Sequence, residues 1–61
     1  MHKKYQSILN MAAFLQSQTL ELMKKCRETE LLESNKQCIE TYHAASELLL
    51  QLKREIEQKN P

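Results

Sequence analysis

The sequence predicts an all-α fold: a helical hairpin that pairs with a second copy of itself to form a four-helix bundle. Three observations predict this fold. The chain has no glycine and its one proline is the last residue, Pro61, so nothing interrupts helix formation. Its apolar residues recur at helical spacing in two separate stripes. Its 61 residues build only a small core, so a second copy is expected to supply the missing burial.

The first helix, about residues 3–28, is predicted from the first stripe. This stripe has three- and four-residue spacing and comprises Ile8, Ala12, Leu15, Thr19, Leu22 and Cys26. Continued in register, it would reach Thr29, Glu33, Lys36 and Glu40, which are all polar or charged. The stripe therefore ends near Cys26, and the amphipathic face of the first helix ends with it.

The turn, about residues 29–31, is predicted from a change of phase between the stripes. The second stripe is shifted by two residues, or about 200° at about 100° per residue. One continuous helix would place the stripes on opposite sides, whereas a reversal lets them face each other. Two capping patterns stay open: Thr29 before Glu30, and the Ser-x-x-Gln capping box of Ser34 and Gln37. We prefer Thr29 or Glu30 as the turn.

The second helix, about residues 32–57, carries the second stripe, in which Asn35 is the one clearly polar position. The stripe comprises Leu31, Cys38, Tyr42, Ala45, Leu49, Leu52 and Ile56. Each helix is about 38 Å long at 1.5 Å per residue. A single pair of helices of that length leaves much of both stripes exposed to water. Small and large side chains alternate along the seam, which suits a dimeric bundle. The predicted dimer core is Ile8, Ala12, Leu15, Thr19, Leu22, Cys26, Leu31, Cys38, Ala45, Leu49 and Leu52.

A second set of residues on the first helix is not explained by the core. On a helical wheel, Phe14 lies about 120° from the core stripe. It shares its side with polar residues, and together they form what we call the helix-1 strip: Lys3, Asn10, Phe14, Gln18 and Lys25. An isolated exposed aromatic residue is common and often has no function. The strip also has the make-up of a nucleic-acid surface, with lysines for phosphates, amides for sugar or base edges and a ring for stacking.

These residues resemble the first helix of the Rop (repressor of primer) family of colicin-type plasmids. The matching run, without gaps, is Leu9-Asn10-Met11-Ala12, Phe14, Ser17-Gln18-Thr19-Leu20, Leu22 and Lys25, with Lys3 and Glu28 also in agreement. In the second helix the resemblance is limited to Cys38, Ala45, Glu47 and Leu48.

The resemblance implies a homodimeric antiparallel four-helix bundle in the bacterial cytoplasm. It implies binding to two kissing RNA stem-loops, formed by an antisense RNA and the replication-primer precursor. Stabilising that complex lowers plasmid copy number in the family. All five residues of the helix-1 strip are RNA-binding residues by this resemblance. Ala13 and Gln16 stand where the family has arginines, and Thr41 stands where a large apolar residue is expected. The turn, Glu30-Leu31-Leu32, also departs from an Asp-rich reversal.

Other classes of function have less support. The soft metal ligands are His2, His43, Cys26 and Cys38, and no two are spaced like a zinc pair, so no metal or cofactor is expected and the cysteines are read as core. Scattered acidic residues and the lack of a glycine-rich loop argue against an enzyme with a small-molecule substrate.

The location of the protein is also predicted from the sequence. No apolar run reaches the roughly 20 residues of a membrane span. A chain with two cysteines and no signal-peptide pattern is expected in the cytoplasm. The alternatives to an RNA-binding regulator are a helical protein-interaction module or assembly chaperone and, with less support because the polar faces mix both charges, a membrane-surface helix.

Overall fold

The computed structural model describes residues 3–59 as two α-helices joined by a short turn. Helix α1 spans Lys3–Glu28 and helix α2 spans Leu32–Lys59. The two helices pack against each other along their length, and the hairpin measures 48 × 16 × 9 Å. The predicted helical hairpin is thereby confirmed. Helix α2 runs two residues past residue 57, since the Glu-Gln-Lys sequence at its end favours helix.

The seam between the helices is built from small side chains. The buried residues are Ala12, Thr19 and Cys26 of α1 and Cys38, Ala45 and Ile56 of α2. Small side chains let two helix backbones approach closely. Thr19 is the one buried polar residue among residues 3–59. Its hydroxyl donates to the carbonyl oxygen of Leu15 at 2.8 Å, so its hydrogen-bonding capacity is met within the seam.

The larger apolar side chains of the stripes remain exposed on one hairpin. Ile8, Leu15 and Leu22 of α1 keep 42%, 48% and 53% of their surface accessible, and no large side chain within residues 3–59 is fully enclosed. Complete burial of such a side chain contributes about 1.5–3 kcal/mol, so each of these residues realises only part of it. The hairpin therefore has one apolar face that a single chain cannot cover.

The turn ends α1 with a Schellman motif. The backbone N–H of Leu31 donates to the carbonyl of Cys26 at 2.8 Å, and that of Glu30 donates to the carbonyl of Arg27 at 3.2 Å. These are the two reverse hydrogen bonds of the motif, which places its next-to-last residue in the left-handed region. Glu30 occupies that position with φ of 62°.

Neither predicted capping pattern forms at the start of α2. The hydroxyl of Thr29 donates to the carbonyl of Lys25 at 2.8 Å and to that of Cys26 at 3.3 Å, so it caps the end of α1. Ser34 lies inside the first turn of α2. The carbonyl of Leu31 accepts the first helical hydrogen bond, from the N–H of Asn35 at 2.9 Å, so Leu31 takes the N-cap position without a side-chain oxygen to offer.

Replacing Glu30 with glycine is expected to stabilise the protein by about 1 kcal/mol. The left-handed region is unfavourable by about that free energy for a residue with a Cβ, and glycine has none. Thermal unfolding followed by circular dichroism measures it. The matched control is Glu28→Gly, two residues earlier and inside α1, which should destabilise the protein by about 1 kcal/mol. Glycine effects of the same sign at both positions would contradict the assigned turn.

Two side-chain hydrogen bonds tie the helices together. The amide of Asn35 donates to the carbonyl of Met23 at 2.8 Å, and the amide of Gln16 donates to the hydroxyl of Ser46 at 2.6 Å. Asn35, the polar member of the second stripe, therefore joins the two helices by a hydrogen bond near the turn. Gln16, which stands where Rop-like chains have an arginine, holds the two helices together.

Candidate nucleic-acid interface

The helix-1 strip lies along one exposed side of α1. Because α1 is unbroken from Lys3 to Glu28, the strip residues keep a fixed angular relation and all five are exposed. The side chains buried against α2 lie about 140–180° from Lys3 on the wheel, whereas Phe14 lies about 20° and Lys25 about 40° from it. From Lys3 to Lys25 the strip is about 33 Å long.

The two lysines of the strip keep their charge unpaired. Within residues 3–59, the ion pairs are Lys24 with Glu21 and Lys36 with Glu33, each with 3.9 Å between nitrogen and oxygen. Glu21 has Lys25 four residues ahead, yet its carboxylate contacts Lys24 instead. Lys3 and Lys25 therefore present free ammonium groups, which suit contacts with phosphate oxygens.

The amide of Asn10 is oriented by a neighbour on the same helix. The amide nitrogen of Gln6 donates to the side-chain oxygen of Asn10 at 2.9 Å. This contact uses one of the two lone pairs of the Asn10 oxygen and leaves both of its N–H donors available. Asn10 therefore offers donors to sugar or base acceptors, and Gln6 is a positioning residue that the sequence pattern did not single out.

Phe14 lies at the margin of an open apolar groove between the helices. The groove has a volume of about 880 Å³ and is lined by Ser7, Ile8, Asn10, Met11, Ala12, Phe14, Leu15, Gln18, Leu48 and Leu52. Phe14 itself is 65% exposed. Three strip residues thus border the same groove as the large residues of the first stripe. The strip and the apolar face are adjacent surfaces of one hairpin.

Two apolar residues that line the groove, Met11 and Leu48, were left out of both the predicted core and the strip. Leu48, 47% exposed, lines the groove together with Leu52. Leu49, which was placed in the dimer core, is half-buried and is not among the groove residues. A signal was present in the sequence: Cys38, Thr41, Ala45, Leu48 and Leu52 follow an alternating three- and four-residue spacing, as a heptad seam does.

The two cysteines behave as part of the core. Cys26 and Cys38 are both free thiols and both buried in the seam. Burial, together with the nearby Cys26 thiol, raises the pKa of Cys38, so this thiol stays protonated at neutral pH. Protonated thiols are poor metal ligands, and within residues 3–59 no three candidate ligands cluster. His43 is exposed, and His2 lies outside the described residues.

Comparison with known proteins gives one family. A family model described as "Rop protein" matches residues 1–57 of the chain. No curated protein and no solved structure matches the chain significantly. In the part of the chain that the structure describes, no helix is long and apolar enough to cross a membrane.

Proposed function

This chain belongs to the Rop protein family, and we propose that it acts as a homodimer that stabilises the kissing complex between an antisense RNA and a replication-primer RNA. Membership of a family of non-enzymatic regulators supports a Rop-like regulator of plasmid copy number. The observation that carries the finer proposal is the helix-1 strip, in which two unpaired lysines, two amides and one aromatic ring share an exposed side of α1. We expect the protein to act in the bacterial cytoplasm.

Local charge supports this proposal better than overall charge does. The chain has a net charge of only +1, so bulk attraction to a polyanion is weak. The unpaired lysines at the two ends of the strip provide local positive charge for contacts with phosphate. Phosphate contacts would fix the position of the RNA, while Asn10, Phe14 and Gln18 would contact sugars and bases between them.

Dimerisation would complete the surface. A second hairpin covering the groove would bury Ile8, Leu15 and Leu48, which one chain leaves about half exposed. Because the strip borders that groove, covering the groove would bring a second copy of the strip nearby. Four lysines, two from each copy, would then face one RNA.

The groove also favours a second candidate function, a helical protein-interaction module that receives a partner helix. That module would be a monomer that becomes well folded only with its partner. Sedimentation equilibrium of the isolated protein separates the two candidates. A stable homodimer without any ligand would count against the interaction module, and a poorly folded monomer would count against the regulator.

The direct test of the proposal is a gel-shift titration with two complementary stem-loops. The protein is expected to bind the kissing pair more tightly than either stem-loop alone or a DNA duplex of the same length. Equal affinity for all four nucleic acids would contradict the proposal, because it would reduce the interaction to non-specific electrostatics.

Replacing Lys3 or Lys25 with alanine is expected to weaken RNA binding and to flatten its salt dependence. Each lysine occurs twice in a dimer, so the log–log salt slope should fall by about 1–2 units. Asn10→Ala and Gln18→Ala should lower affinity with little change in slope, because they remove no charge. Binding titrations between about 50 and 200 mM salt measure both quantities.

The matched control for the lysine variants is Lys36→Ala, which removes an exposed charge of the same kind from α2. Lys36 is paired with Glu33 and lies off the strip, so its slope should equal that of the wild type. Unchanged slopes for both Lys3→Ala and Lys25→Ala would refute the phosphate contacts.

A further inference from the structure

One acidic side chain stands within the helix-1 strip. Glu21 follows Lys3 by 18 residues, which is about five turns at 3.6 residues per turn, so the two lie in line along α1. It follows Gln18 by three residues and precedes Lys25 by four, so it is a surface neighbour of both. A carboxylate therefore lies near the Lys25 end of a surface that is otherwise suited to an anionic ligand.

The contacts of Glu21 leave its charge effective toward a ligand. Its carboxylate lies 3.9 Å from the ammonium of Lys24, and the two side chains are 58% and 56% exposed. An exposed pair at this distance is loosely held and well solvated, so it contributes little to stability. Lys24 also draws the carboxylate away from Lys25, which stays free for phosphate.

We propose that Glu21 is a specificity determinant that acts by repulsion. Its carboxylate repels a phosphate that approaches the strip between Gln18 and Lys25. A nucleic acid is then favoured where its backbone turns away at this point and presents sugar or base edges to the strip. A bent loop–loop helix can meet that condition, whereas a regular RNA duplex of the same charge brings phosphates past Glu21 and is disfavoured. This inference rests on the proposed function and adds how the surface discriminates between RNAs.

The chain contains a matched control for this carboxylate. Glu33 and Lys36 of α2 form an ion pair with the same three-residue spacing and the same 3.9 Å separation. Glu33→Gln therefore makes the same change in net charge and breaks the same kind of pair, away from the strip. A difference between Glu21→Gln and Glu33→Gln isolates the position of the charge.

The experiment measures affinity for a kissing stem-loop pair and for a regular RNA duplex of equal length. Glu21→Gln is expected to bind the duplex about fivefold more tightly than wild type, because two repulsive charges are removed from a dimer. Its affinity for the kissing pair should change less than twofold, so the ratio of the two affinities falls. Glu33→Gln should leave both affinities unchanged.

The outcomes separate this inference from the proposed function. If wild type prefers the kissing pair and Glu21→Gln keeps the same preference ratio, Glu21 is no determinant and the proposed function stands. An equal effect of Glu33→Gln would show a general charge effect and would also overturn the inference. If the wild-type protein does not prefer the kissing pair, both the inference and the proposed function are overturned.

Discussion

Replacing Leu48 with glutamate is expected to dissociate the protein and to lower its stability by about 4 kcal/mol or more. Leu48 lines the apolar groove that we expect a second copy to cover. A carboxylate placed there would be buried without a partner in each of the two copies, which is among the most costly single changes in a core. Since small domains are stable by only about 5–15 kcal/mol, most of the fold should be lost at micromolar concentration.

The matched control is Leu50→Glu. Leu50 is 50% exposed and Leu48 is 47% exposed, so the two are equally accessible on one hairpin. Leu50 is about 200° further round α2 and does not line the groove between the helices. Its replacement should change stability by less than about 0.5 kcal/mol, as at an ordinary surface site. Sedimentation equilibrium and thermal unfolding measure both variants, and equal behaviour of the two would mean that nothing covers the groove.

The hairpin was predictable from the sequence because two independent signals agreed. The absence of glycine favours helix everywhere, so composition alone leaves one long helix open. The phase shift between the stripes excludes one long helix, since Ile8 and Leu49 would then lie about 140° apart and would not share a face. Burial of the small residues Ala12 and Ala45 in the seam follows from the same facing of the stripes.

The turn was less predictable because its chemistry is unusual. Sequence signals for helix ends depend on glycine in the left-handed position, and this chain has none. Glu30 occupies that position at a conformational cost that the two reverse hydrogen bonds of the turn offset. Thr29 is of a residue type that favours the N-cap position, but its hydroxyl donates to the carbonyl of Lys25 in α1. A hydroxyl can donate or accept, so its residue type does not decide between the two roles.

The surface of α1 was predictable in position and less so in detail. An unbroken helix fixes which residues share a side, so the exposure of Phe14 and Lys25 follows from spacing. The partner of Glu21 does not follow, because Lys24 and Lys25 are both within reach and side-chain rotamers decide between them. The groove residue Leu48 was missed because it adjoins Leu49, and either can extend an apolar stripe broad enough for a helix.

Replacing Phe14 with alanine is expected to weaken binding to the kissing stem-loop pair at least about thirtyfold. Stacking of a base on an aromatic side chain contributes about 1–3 kcal/mol, and a dimer presents the ring twice, so the loss is about 2 kcal/mol or more. Phe14 is 65% exposed on the hairpin, so stability should change little. Gel-shift titration measures the affinity, and thermal unfolding measures the stability.

The position of Phe14 beside the groove makes Met11→Ala the control that decides how the ring acts. Met11 also lines the groove and is 70% exposed, but it is not a member of the strip. If Phe14 served the dimer instead of the RNA, Phe14→Ala would weaken the dimer and lower RNA affinity in proportion, and Met11→Ala would do the same. An RNA contact instead predicts that Phe14→Ala forms a dimer as stable as that of the wild type but binds RNA weakly, whereas Met11→Ala lowers RNA affinity only as far as it weakens the dimer. The adjacency of strip and groove thus requires dimerisation and RNA binding to be measured on the same variants.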